Sequence, residues 1–130
     1  MDGVPERIRS LYDGLKLVHY YPATLYTAHR VAVTVVKPIP AHSPVGLGLD
    51  YSHCSSDEIQ VLLGNSLLIH GPGLQYDCST SLDREEQSRG VIRFKFPLTP
   101  SDVIQLLVPP SKTETQRLWQ KVLMERWGLS

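Results

Sequence analysis

The sequence has no excess of charge of either sign: 13 basic side chains meet 13 acidic ones, and the formal net charge is zero. A dedicated nucleic-acid binder carries a basic excess, because its affinity comes from neutralising phosphates. Only a local basic strip would serve that purpose here. Near-zero charge also removes the self-repulsion that keeps identical surfaces apart. Cysteine is scarce. Cys54 and Cys78 are the two present, too few for a disulfide framework, and both are expected as thiols in a reducing cytoplasmic or nuclear setting. No apolar run approaches the ~20 residues that span a bilayer. The opening residues Met1-Asp2-Gly3-Val4-Pro5-Glu6-Arg7 lack the apolar stretch of a secretion signal, and Asp2 removes the myristoylation pattern. The expectation is a protein that is not secreted. Solenoid-type repeats and low-complexity tracts are absent too.

Hydrophobic residues make up 42% of the chain and charged residues 20%, which argues against disorder. A length of 130 residues suits one domain, 1–130, able to bury roughly two thirds of its unfolded surface. The N-terminal segment predicts a helix: Pro5 fits a first turn, Ile8, Leu11, Tyr12 and Leu15 recur at helical spacing, and Gly14 marks the end. Leu17–Tyr21 and Thr24–Val36 follow as extended segments on either side of Pro22. Val31, Val33 and Val35 share one face of a strand, since β-branched residues suit a pleated surface. His19 and His29 fall on these strands.

Residues 37–56 contain Pro38, Pro40, Pro44, Gly46, Gly48, Ser52, Ser55 and Ser56. They show no periodicity and are taken as a long loop, which in a compact domain is often functional and can hide a short edge strand. Gly64-Asn65 between Ile59–Leu63 and Ser66–His70 is a two-residue hairpin signature. It pairs Leu62 with Leu67 and Val61 with Leu68, and both faces are apolar enough to suggest cover on both sides. Gly71-Pro72-Gly73 is a turn. Leu74, Tyr76 and Cys78, then Ile92, Phe94 and Phe96, alternate with polar residues as half-buried strands do. Residues 59–96 are therefore expected as an antiparallel meander. Two C-terminal helices close the reading. Thr99-Pro100-Ser101-Asp102 caps the first, over Val103–Leu107, which Pro109-Pro110 stops. Thr113-Glu114-Thr115-Gln116 caps the second, which ends at Gly128. The expected fold is α+β: an antiparallel sheet with an N-terminal helix and two C-terminal helices.

No chemical constellation stands out. His53-Cys54 with Asp57 and Glu58 offers a thiol near a base, but sequence neighbours rarely aim at one another. His42, His53, Cys54, His70 and Cys78 lack the paired spacing of a zinc site. Gly46-Leu47-Gly48-Leu49-Asp50 is half of a dinucleotide fingerprint without its helix. No catalytic residue, cofactor or metal is expected. Arg84, Arg89, Arg93 and Lys95 form a basic strip for RNA contact, diluted by Asp83, Glu85 and Glu86. The last helix spreads Leu118, Trp119, Val122, Leu123 and Trp127 over half its circumference, with Met124 beyond. Tryptophan and methionine are enriched at interfaces. The leading expectation is thus a non-enzymatic interaction or assembly protein that binds itself or another protein. Its interface is placed at Trp119, Leu123, Met124, Trp127, Leu62 and Leu67. A small viral structural or accessory protein fits this profile. The alternatives are an RNA-binding module on the basic strip, and a small enzyme or ligand-binding domain with its site in the 37–56 loop.

Overall fold

The valine-rich run is one of eight strands among the described residues: β1 (Leu15–Tyr21), β2 (His29–Val35), β3 (Pro44–Gly46), β4 (Gln60–Leu63), β5 (Ser66–Leu67), β6 (Cys78–Thr80), β7 (Val91–Phe94) and β8 (Val103–Val108). A helix, α1 (Lys112–Trp127), follows them. The computed structural model describes residues 14–54, 58–69, 78–80 and 87–128. Five strands form one sheet in the order β1-β2-β8-β4-β5, and three form another in the order β3-β7-β6. Every pairing is antiparallel.

Alternation along the strands builds the core. Val31 and Val33 of β2 lie opposite Leu106 and Ile104 of β8, and Val61 of β4 meets Leu106 from the other side. All five are fully buried. Val45, Leu47, Leu49 and Tyr51, together with Ile92 and Phe94 of the smaller sheet, belong to the same apolar cluster. Burying each such side chain contributes about 1.5–3 kcal/mol. In β1, Leu15 and Leu17 face Val35 and Val33, but a bulge between Leu17 and His19 then sets Tyr20 opposite Val31. One extra residue reverses the phase of a strand. Tyr20 thereby rejoins Leu15 and Leu17 against the core.

Several expectations change. The proposed N-terminal helix lies outside the described residues except for its end, which is not helical: Gly14 is a turn, and Leu15, assigned to the helix's apolar face, is the first residue of β1. The C-terminus holds one helix and not two. Val103–Val108 is the central strand of the larger sheet, buried at every second residue. A six-residue apolar run fits either periodicity, and here pairing with β2 and β4 satisfies its backbone on both edges. The supposed cap before it is a β-turn. The Asp102 N–H donates to the Thr99 carbonyl at 3.1 Å, and Ser101 takes φ 82° at the third turn position after Pro100, the pattern of a type II turn. The 59–96 meander is also replaced, because β4 and β5 belong to the larger sheet and β6 and β7 to the smaller one. Gly71–Tyr76 lie outside the described residues.

The Gly64-Asn65 hairpin pairs Leu62 with Leu67, with positive φ at Gly64 alone of the two. Its outer face is open rather than covered, with Leu67 and Ile69 exposed. The 37–56 segment is not a structureless loop. Ile39 bridges Leu98, β3 forms an edge of the smaller sheet, and Val45, Leu47, Leu49 and Tyr51 are buried in turn. The Leu47 N–H donates to the Gly90 carbonyl and the Tyr51 N–H to the Gln87 carbonyl. This close passage leaves no room at Gly90. A Cβ there would stand 2.4 Å from the Leu49 carbonyl oxygen, and φ is +66°. Gly64 has a similar φ of +61° with open space around it. Gly90→Ala is therefore expected to lower unfolding free energy by about 3 kcal/mol in urea melts, from backbone strain and overpacking combined, while Gly64→Ala costs about 1 kcal/mol. Equal effects would show that the close approach to Leu49 does not constrain the fold.

Candidate functional site

The helix begins where β8 ends, and its first turn is heavily bonded. Ser111 is the N-cap: its hydroxyl accepts from the Glu114 N–H, and the Glu114 carboxylate accepts from the Ser111 N–H at 3.2 Å. The capping box therefore starts at Ser111, two residues before the expected Thr113. At the other end Gly128 adopts the left-handed conformation and donates its N–H to the Met124 carbonyl, closing the helix as a C-terminal glycine does.

Glu114 also reaches into the domain. Its second oxygen lies 2.8 Å from His29 Nε2. His29 is 3% exposed, at the start of β2. Its Nδ1 accepts from the Ala23 N–H at 3.0 Å and lies 3.1 Å from the Tyr20 hydroxyl. A backbone N–H can only donate, so Nδ1 bears no proton and the ring proton sits on Nε2, donated to the carboxylate. Both ring nitrogens are engaged. The pair is thus a clamp between helix and sheet, with no free lone pair to act as a base.

Two concavities flank the clamp. One, of about 380 Å³, lies between the β1–β2 end and the helix, bordered by Tyr20, Ala23, Leu118, Arg117 and Lys121. The other, of about 370 Å³, lies beside Asp50, Ser52 and His53. Asp50 accepts from the Ser52 N–H and hydroxyl in a local turn, and His53 Nε2 donates to the Pro109 carbonyl at 2.7 Å.

The sequence-derived candidates fall apart in space. Cys54 is buried, and its thiol is pushed up to about 11, first by burial and then by the carboxylates of Glu58, Asp50 and Glu114. It is a poor nucleophile, and its neighbour His53 is tied to Pro109. Cys78 lies in β6 within the core, and His42 sits in the turn before β3. His70 is outside the described residues, among which no cluster of three side chains could hold a metal ion. Arg89 and Lys95 are exposed on either side of β7, while Arg93 donates to the His42 carbonyl at 3.1 Å. Arg84 lies outside the described residues. Gly46 and Gly48 belong to the buried crossing that carries Leu47 and Leu49. The His29–Glu114 clamp went unseen because its partners are 85 residues apart, and no local pattern joins them.

The helix itself has no buried residue. Only Glu114, Thr115, Leu118 and Val122 are half-buried. Trp119 is 54% exposed, Leu123 38%, Met124 56% and Trp127 68%. With about 100° between successive residues, Trp119, Leu123 and Trp127 form one stripe centred roughly 120° from Leu118 and Val122. Leu62 is half-buried and Leu67 exposed on the outer face of the hairpin. Its turn lies beside Val103, at the far end of β8 from the helix. The two predicted patches are therefore separate. No helix among the described residues is long and apolar enough to cross a membrane. No protein family, curated protein or solved structure matches this chain.

Both oxygens of Glu114 accept hydrogen bonds, and an amide offers one acceptor. Glu114→Gln is expected to cost about 1–3 kcal/mol in urea unfolding, as much as Glu114→Ala within a factor of two. Full retention of stability by the glutamine variant would show that one of the two bonds contributes nothing. At pH 8, alkylation of Cys54 by iodoacetamide should be at least about a hundredfold slower in the native protein than in urea, from the depressed thiolate fraction alone. Equal rates would contradict the buried, carboxylate-flanked thiol.

Proposed function

We propose that this chain is a non-enzymatic assembly protein that self-associates through the outward stripe of α1. The observation that carries the reading is the exposure of Trp119, Leu123, Met124 and Trp127 on one helix whose own domain touches a different side. Large apolar groups clustered in the open mark interaction surfaces, and tryptophan is the residue type that most often dominates binding energy.

A second copy is the occupant supported by charge. Around Trp119 and Leu123 the stripe holds the uncharged Gln116 and Gln120, and its cations, Lys112 and Arg126, stand toward its two ends. A two-fold contact sets a patch against itself, and one centred on Trp119 and Leu123 brings no like charges together at its centre. The zero net charge of the whole chain adds no long-range barrier. Two such stripes, with large side chains at every fourth position, can interlock as ridges into grooves. The hairpin face of Leu62 and Leu67 is left out of this contact, because it sits at the other end of the sheet.

Light scattering over a wide concentration range tests the proposal. The expected result is a dimer or larger assembly, with Trp127→Ala and Trp119→Ala each weakening association by at least about 2 kcal/mol. A monomer at every concentration overturns it, as does an assembly indifferent to both substitutions.

A further inference from the structure

The concavity on the flank of α1 away from the tryptophan stripe has the makings of a binding site. Its apolar wall comes from Pro22, Ala23 and Leu118 and from the ring of Tyr20. The Tyr20 and His29 rings lie nearly parallel, at 13° with centroids 6.2 Å apart, and the half-buried Tyr20 supplies the aromatic part of that wall, His29 being buried. A volume of about 380 Å³ is at the small end of the range for ligand pockets, ~300–1,000 Å³.

Its charge is unbalanced. Arg117 and Lys121, one helical turn apart, border it. Neither makes an ion pair or hydrogen bond with any described residue. The one acidic side chain that lines it, Glu114, already accepts at one oxygen from His29 Nε2 and at the other from the Ser111 N–H. Two cations thus stand unpaired beside an apolar, partly aromatic wall whose own polar groups are bonded to each other.

We infer that this pocket binds a small planar aromatic anion. The ring rests against Tyr20, Ala23 and Leu118, and the anionic group is held by Arg117 and Lys121. Arginine and lysine together suit a phosphate or carboxylate, the first through its planar fork and the second as a point charge. The apolar wall discriminates against a bare anion, and the cations discriminate against a neutral ring. The inference is independent of self-association, since the stripe of Trp119, Leu123 and Trp127 lies on another side of the helix.

Phenyl phosphate is the probe. In a nitrogen–proton NMR titration of the full chain, amide shifts should saturate and centre on Ala23, His29 and Leu118. Phenol and inorganic phosphate should each bind at least about tenfold more weakly. The double charge reversal Arg117→Glu with Lys121→Glu, at two exposed positions, should keep the fold by circular dichroism and weaken phenyl phosphate binding by about tenfold or more. It should leave the dependence of mass on concentration unchanged. Shifts that do not saturate, or that centre on the Trp119 and Trp127 indoles, would overturn the inference. So would binding indifferent to charge reversal, or phenol or inorganic phosphate binding as tightly as phenyl phosphate. Loss of self-association in the unsubstituted protein leaves this result standing, so the two ideas fail separately.

Discussion

The apolar layer shared by the two sheets is the constraint on which everything else rests. The larger sheet presents Val31, Val33, Ile104, Leu106 and Val61 on one face, and the smaller presents Ile92 and Phe94. Neither face is tolerable in water. The chain from β3 onward packs into the same cluster as both. Val45 starts in β3, and the same strand direction carries Leu47, Leu49 and Tyr51 onward into the cluster. That crossing is what requires a glycine at position 90, and it brings Asp50, Ser52 and His53 out beside the root of the helix.

The helix contrasts with this core. Helices in small domains are stabilised mostly by burying an apolar face, and a free helix of this length is marginal in water. Here the apolar face is left outside. What holds the helix is polar and local: a capping box at Ser111, a glycine at the C-terminus, and one carboxylate tied to a buried histidine. Glu114 serves two of these devices at once. The domain fixes where the helix starts, while its C-terminal half, from Leu123 onward, is exposed at every residue. Such an arrangement displays a surface and does not cover one.

Local chemistry was legible in the sequence wherever it was self-contained. The alternating valines of β2, the Gly64-Asn65 turn with Leu62 opposite Leu67, the strand at Ile92 and Phe94, and the last helix with its glycine stop all follow from neighbours in the chain. The failures share a cause. Val103–Val108 fits a helix or a strand by itself, and only its two pairing partners, far away in sequence, decide the matter. Prolines and glycines between Lys37 and Ser56 obscure a period-two alternation at Val45, Leu47, Leu49 and Tyr51, because the intervening Gly46 and Gly48 have little β-forming character. The exposed tryptophans were identifiable as residue types, but whether they faced a groove of their own domain depended on packing. The clamp between His29 and Glu114 had no sequence signal at all.

The bulge in β1 has an effect beyond aiming Tyr20 inward. Among the described strands β1 is a seven-residue edge, long enough to template the addition of another chain. Its outward N–H and C=O groups lose even spacing where the register shifts between Leu17 and His19, and Lys16 is exposed on the same strand. Both features are ways in which sheet proteins blunt an edge. A strand laid alongside would find hydrogen-bonding partners over only part of its length. Growth by endless strand addition, the route to fibres, is therefore resisted at this edge of the sheet.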